Sequence, residues 1–253
     1  MKAIGIIPAR YGSTRLPAKP LAEILGKTMV QRVYEIAQKA ELLESVLVAT
    51  DDERVAAAVR SFGGQAVLTN AGHASGTDRA AEAASSSDAS IVVNIQGDEP
   101  LLDPRIIDEC VGALRSAMQS GEGAGLATVV KRMKPEDYRN PSAVKAVVDL
   151  RGRALYFSRS PIPYLREGGG PATVYHHIGI YAYTRECLQQ LSQLPRSPLE
   201  QAEMLEQLRA LENGIPIQTV ETQWAEGMIS VDTEEDLDRV REALRSRNAE
   251  TRR

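Results

Sequence analysis

Three short runs in the first hundred residues, Ala3-Ile4-Gly5-Ile6-Ile7, Val46-Leu47-Val48-Ala49 and Ile91-Val92-Val93-Asn94-Ile95, are almost wholly apolar, as strands buried inside a sheet are. Between them lie segments with helical periodicity, about Met29 to Ala40, Glu53 to Phe62 and one starting near Thr77, and a further strand at Gln65 to Leu68. This alternation predicts an α/β fold built on a parallel, doubly wound sheet. Ligands of such sheets sit beyond the carboxyl ends of the strands, where Pro8–Pro20, Thr50-Asp51-Asp52 and Gln96-Gly97-Asp98 fall.

The loop after the first strand brings Arg10, Arg15 and Lys19 before any acid; the first carboxylate after them is Glu23. The whole chain is acidic, with 34 Asp plus Glu against 30 Lys plus Arg. A local cationic loop on an anionic protein is a ligand site, and a broad nucleic-acid surface is not expected. Gly12 and Ser13 let backbone N–H groups approach oxygens, and Pro8, Pro17 and Pro20 restrict the loop's wandering. Together these groups predict a phosphate cradle.

Asp98 follows a buried strand and is placed near those phosphates; hard oxygens from carboxylate and phosphate suit Mg²⁺. Its alternative duty would be to cap the helix expected from Pro104, for which Asp103 is better placed. Asp232 is a second metal candidate, but Thr233 followed by Asp236 is also helix-start chemistry, and both readings stay open. Gly26-Lys27-Thr28 lacks the glycine of a phosphate-binding loop at Leu21, and Gly121-Glu122-Gly123-Ala124-Gly125 precedes a strand where a dinucleotide loop should follow one. No nicotinamide cofactor is expected.

From Ala124 the pattern changes to strands joined by short turns, and a β-rich subdomain is expected over about 124–183, with a flexible loop at Gly168-Gly169-Gly170. A single helix from Glu200 to Glu212, ended by Asn213-Gly214, precedes a strand at Ile215 to Val220. A final helix follows Asp232–Asp236, and the polar tail from Arg245 is expected to fray. The 253 residues, 43% of them hydrophobic, suffice for one large domain. Cys110 and Cys187 have no disulfide or metal spacing. No run is long enough to cross a bilayer and no export signal opens the chain, so a cytoplasmic protein is expected.

The ordered set of motifs carries a resemblance. Ile7-Pro8-Ala9-Arg10-Tyr11-Gly12-Ser13-Thr14-Arg15-Leu16-Pro17-Ala18-Lys19-Pro20, Ala49-Thr50-Asp51, Ser75-Gly76-Thr77-Asp78-Arg79, Asn94-Ile95-Gln96-Gly97-Asp98-Glu99-Pro100, Tyr156-Phe157-Ser158-Arg159, His177-Ile178-Gly179-Ile180-Tyr181, Ser197-Pro198-Leu199-Glu200, Glu203–Arg209 and Val231-Asp232-Thr233 together resemble the 3-deoxy-manno-octulosonate cytidylyltransferases, the CMP-Kdo synthetases. The resemblance runs from the first strand to the final helix. It implies a Rossmann-like nucleotidyltransferase fold with a mostly parallel mixed sheet and a small antiparallel dimerisation extension. It also implies a Mg²⁺-dependent reaction of CTP with the acid sugar Kdo for lipopolysaccharide assembly, in a cytoplasmic homodimer. Carried over by position, Arg10, Ser13, Arg15 and Lys19 hold the triphosphate, and Asp98 and Asp232 hold the metal. Arg15, Lys19, Asp98 and Asp232 form the catalytic set. Gly72, His73, Ser75, Arg79 and Gln96 surround the nucleotide, while Gln96, Arg159, Arg166, His177, Tyr181, Glu206 and Gln207 line the sugar site. The chain departs from the resemblance around Arg166, where its Gly168–Thr173 loop is shorter, and at Asp78, where Glu is more usual. The rivals are a cytidylyltransferase for another acid sugar, such as a sialic acid or amino-Kdo, and an inactive nucleotide-binding regulator.

Overall fold

The structure, a computed structural model, describes residues 1–12, 15–121, 123–170 and 172–250, with side chains up to residue 247. Two compact units emerge: Met1–Ile107 with the segment from Ala225 onward, and Asp108–Trp224. The β-rich stretch expected over 124–183 lies inside the second.

In the first unit β1 (Ala3–Pro8) leads through a loop and a 3₁₀ turn at Lys19–Leu21 to a small hairpin, β2 (Glu23–Ile24) and β3 (Lys27–Thr28). Next come α1 (Met29–Ala37), β4 (Ser45–Thr50), α2 (Glu53–Ser61), β5 (Ala66–Leu68), α3 (Gly76–Ala84) and β6 (Ile91–Asn94), and α4 (Pro104–Gln119) begins here and continues in the second unit. The strands pair in the order β6-β1-β4-β5, all parallel, with Gly5 opposite both Val93 and Val46. This is the α/β arrangement the alternation predicts. Each of the first three helices is capped by a side chain at its start: Thr28 Oγ1 accepts from Gln31 N at 3.3 Å, Asp52 Oδ1 from Arg54 N at 2.9 Å, and Ser75 Oγ from Asp78 N at 3.1 Å. Gly26-Lys27-Thr28 is thus a hairpin strand ending in a helix cap.

The second unit contains β7 (Leu126–Arg132), β8 (Lys145–Val148), β9 (Ala154–Ser158), β10 (Tyr175–Thr184), α5 (Arg185–Gln193), α6 (Pro198–Glu203), α7 (Gln207–Glu212) and β11 (Ile217–Glu221). β10 runs antiparallel to β7 and β8, β8 antiparallel to β9, and β11 parallel to β7. The single helix expected from Glu200 to Glu212 is corrected to two, because Met204 adopts a left-handed φ of 52°. The break is made by tertiary hydrogen bonds. The Arg159 guanidinium donates to the carbonyls of Glu203 and Met204 at 2.8 and 3.4 Å, and the Glu203 carboxylate accepts from Ser158 Oγ at 2.5 Å and Arg159 N at 2.9 Å. A buried bidentate pair, Arg209 to Glu200 at 2.6 and 2.8 Å, then ties α7 to α6.

The chain closes in the first unit with α8 (Glu234–Glu250). Leu237 and Val240 pack with Leu16, Ile24, Met29, Leu101 and Val231, and Ala243 and Leu244 extend that contact. The fraying expected over Arg245–Arg253 is corrected as far as Glu250, with Arg245, Arg247, Ala249 and Glu250 good helix formers; residues 251–253 lie outside the described residues.

Candidate active site

The cationic loop is anchored from below. Leu16 is buried in the cluster with Val231 and Leu237, between Arg15 and Pro17. Ala18 then takes a left-handed conformation, φ 54°, which costs a residue bearing a Cβ about 1 kcal/mol and turns the chain into the 3₁₀ turn that begins with Lys19. At the loop's entry, Tyr11 N donates to Asp51 Oδ1 at 3.2 Å, and the Arg54 guanidinium lies 3.5 Å from the centre of the Tyr11 ring.

Lys19 joins the two acids that the sequence places far apart. Its Nζ donates to Asp98 Oδ2 at 2.7 Å and to Asp232 Oδ1 at 3.1 Å, while Arg15 Nη2 pairs with Asp232 Oδ1 at 3.0 Å. The backbone fixes the same approach, Val231 N donating to Asp98 O at 2.9 Å. Gly97 is required there, since a Cβ would stand 2.9 Å from the Pro8 carbonyl oxygen at the end of β1. The structure also decides the capping question. Thr233 Oγ1 accepts from Asp236 N at 3.2 Å and the Asp236 carboxylate accepts in return from Asp232 N and Thr233 N at 3.1 and 3.0 Å, so Thr233 and Asp236 together cap α8 and the Asp232 carboxylate is left to the cations. Asp103 likewise takes the α4 start, accepting from Arg105 N at 3.0 Å.

These groups open onto a cavity of about 340 Å³. Arg10, Arg15, Lys19, Arg79, Asp98 and Asp232 all line it, so four cations meet two carboxylates among the described residues. His73, Ser75 and Gln96 complete the wall that sequence reading anticipated. Some have prior engagements: Ser75 caps α3, Arg79 is buried between Thr69 Oγ1 at 2.5 Å and Asp51 Oδ2 at 3.3 Å, and His73 contacts Glu82. Gly72 lies in the same loop but outside the wall, its N–H donating to Asn70 Oδ1 at 2.7 Å. Ser13 lies outside the described residues.

The second unit gathers a different set. His177 is buried on β10, with Thr128 Oγ1 2.9 Å from its Nε2 and Gln207 Nε2 3.5 Å from its Nδ1. The Phe157 and Tyr181 rings flank it at 4.8 and 5.4 Å. Burial pushes the imidazole down to about 3, with His176 adding a little, and burial with the nearby Glu206 charge raises the Tyr181 phenol. Glu206 lies 3.7 Å from Arg209 Nη2. Arg159 spends its guanidinium on carbonyls, including Pro141 O at 3.1 Å, and so orders the α6–α7 break. Arg166 is exposed in a turn, its carbonyl accepting from Gly169 N at 2.9 Å.

A model of the family described as cytidylyltransferase matches residues 4–221. The chain belongs to that family. A cytidylyltransferase of Geobacter metallireducens, named 3-deoxy-manno-octulosonate cytidylyltransferase, is 49% identical over 255 residues, spanning 96% of this chain and 98% of its own. One of the same name from Solibacter usitatus is 50% identical over 240 residues, covering 94% and 93% of the two chains. The solved structure of CMP:2-keto-3-deoxy-manno-octonic acid synthetase complexed with CTP superposes with a TM-score of 0.90 at 46% identity, over 98% of this chain and 100% of its own. A 4-diphosphocytidyl-2C-methyl-D-erythritol synthase from Anaerococcus prevotii shares the fold at a TM-score of 0.63 and 12% identity. The resemblance read from the motifs is borne out at the level of family and fold.

Thr128 was passed over in the sequence, and Asp51 was noted only within the runs Thr50-Asp51-Asp52 and Ala49-Thr50-Asp51, with no role of its own. Asp51 had a signal, a carboxylate at the end of β4, yet its two contacts are tertiary. Thr128 sits inside an otherwise apolar strand, where only the fold shows what its hydroxyl meets.

Proposed function

We propose that this chain transfers the cytidylyl group of CTP to 3-deoxy-manno-octulosonate, giving CMP-Kdo and diphosphate for lipopolysaccharide assembly. One observation carries the reading: a cavity at the carboxyl ends of parallel strands in which Lys19 is clasped by Asp98 and Asp232 amid further cations, in a chain nearly half identical to proteins of that name. The sugar's anomeric hydroxyl attacks the α-phosphorus as diphosphate leaves in line. Positioning and charge neutralisation therefore carry the catalysis. Arg10, Arg15 and Lys19 offset the charge of the triphosphate and of the departing diphosphate. Gln96 and the N-terminal turn of α3, which Ser75 caps, complete the nucleotide wall.

Mg²⁺ belongs to the same proposal. Two carboxylates already meeting on a single cation are a fitting donor set, and Asp98 and Asp232 would hold an ion that, with phosphate oxygens in its shell, offsets charge at the reacting centre. His177, Gln207 and Tyr181 are proposed as sugar contacts. With its proton affinity this depressed by burial, His177 orients by hydrogen bonding and does not take up a proton at neutral pH. Both cysteine thiols are buried and raised to about 12, which leaves them inert.

A homodimer in the cytoplasm completes the reading. Leu150, Leu155, Tyr164 and Leu165, all in the expected dimerisation segment, are exposed large apolar groups that a second copy would cover, and no described helix is long and apolar enough to cross a membrane. The test is diphosphate release from purified protein given CTP, Mg²⁺ and a panel of acid sugars. Turnover favouring 3-deoxy-manno-octulosonate supports the proposal; preference for a sialic acid or an amino-sugar acid, or CTP binding with no turnover, overturns it.

A further inference from the structure

Thr128 is fully buried on β7, and its single hydroxyl meets three groups: the Ile180 carbonyl at 2.8 Å, His177 Nε2 at 2.9 Å and, more distantly, the Ile178 carbonyl at 3.4 Å. The reason lies in the strand opposite. Between Ile178 and Tyr181 the register of β10 on β7 slips, leaving Gly179 and Ile180 without partners in that ladder. The bulge frees the Ile180 carbonyl, and Thr128 supplies the hydrogen bond that the ladder does not.

A hydroxyl has one proton to give. Donated to a carbonyl, the nearer Ile180 or the more distant Ile178, it is unavailable to His177, so Thr128 Oγ1 accepts from His177 Nε2–H. A neutral imidazole carries one N–H, which makes Nδ1 the acceptor of the Gln207 Nε2 amide proton at 3.5 Å. The amide is thereby oriented, leaving its carbonyl oxygen and second N–H in a set order. We propose that Thr128 is a positioning residue that locks His177 as the Nε2–H tautomer and, through it, the face that the Gln207 amide offers to the acid sugar. The opposite tautomer would set Nδ1–H against the amide N–H₂ and force the amide to turn over, exchanging donor for acceptor. The rings of Phe157 and Tyr181 hold the imidazole in place, and its burial keeps it neutral.

The sugar contact rests on the function proposed above, while the tautomer does not, and two measurements keep them apart. The first is the ¹⁵N spectrum of the imidazoles of the intact protein, with His177 assigned by loss of its signals in His177→Gln. Protonation at Nε2 is expected; a proton on Nδ1 overturns the proposal whatever the substrate. The second is steady-state kinetics of Thr128→Val, which keeps the shape and removes the hydroxyl. The KM for 3-deoxy-manno-octulosonate should rise about 10-fold, the scale of one lost buried hydrogen bond. CTP affinity by direct titration should change less than about twofold, and Thr128→Ser should restore the sugar KM. An unchanged sugar KM, or an equal loss of CTP affinity, overturns it. If Thr128→Val does not fold, the wild-type spectrum decides. If the wild type activates no acid sugar, the proposed function falls and the spectrum still decides the tautomer.

Discussion

The cavity of the first unit and the His177 cluster of the second are built on opposite principles. The cavity is a meeting of charges, most of them on loops: Arg15 is two-thirds exposed and Asp232 41% exposed, while Lys19, at 16%, and the helical Arg79 are well covered. The cluster is neutral, lies on strands and a helix start, and is almost wholly buried. Charges left wet can exchange partners when a polyanion arrives, since each pair is worth little in water. Neutral groups in a dry setting cannot relax so easily; an unmatched donor or acceptor there costs 1–3 kcal/mol, which makes them suited to discrimination. Under the proposed function, charge would supply grip in one region and hydrogen-bond polarity selection in the other.

The strongest way to break this contrast is to remove its central cation. Lys19→Met should lower kcat/KM for CTP by about 10³-fold in a diphosphate-release assay, since it deletes a charge on the reacting phosphates and leaves two facing carboxylates unbridged. Asp98→Asn should cost about 10²-fold in turnover; near-normal rates at saturating Mg²⁺ would refute its metal role.

The buried side of the contrast is sharpened by pH. His177 has a folded value near 3 against an ordinary 6.5, so the unfolded chain binds the proton first and stability falls as pH drops below 6.5. From pH 7 to pH 5 this amounts to about 2 kcal/mol, and urea unfolding of His177→Gln should show a shallower pH dependence than the wild type. The smallest effect concerns the loop. Ala18→Gly should relieve its left-handed strain, raising stability by less than about 1 kcal/mol with kcat unchanged, as thermal unfolding and turnover would show.

The two regions also differ in how far they were legible beforehand. The parallel strands of the first unit announce themselves as apolar runs, and Arg10, Arg15, Lys19 and Asp98 follow the ends of such strands, so position in the fold can be read from order in the chain. Asp232 was harder. Its neighbour Asp236 offers the same carboxylate to the same helix start, and only the hydrogen bonds of Thr233 separate cap from site. In the second unit the decisive facts are tertiary. Helical periodicity runs unbroken through Met204, but Arg159 and Glu203 draw the backbone out of the helix. Thr128 reads as one more β-branched residue until the bulge opposite brings carbonyls and His177 within reach of its hydroxyl. Continuation of α8 beyond Arg245 was hidden by a polar composition, although Arg, Ala and Glu are good helix formers.

Calorimetric titration of CTP into the wild type, Lys19→Met and Arg15→Ala most directly tests whether the cationic loop grips a nucleoside triphosphate. The account predicts tight binding by the wild type, a fall of at least about 10-fold on losing Lys19, and a smaller fall for the more exposed Arg15. Equal affinity in all three folded proteins would contradict it.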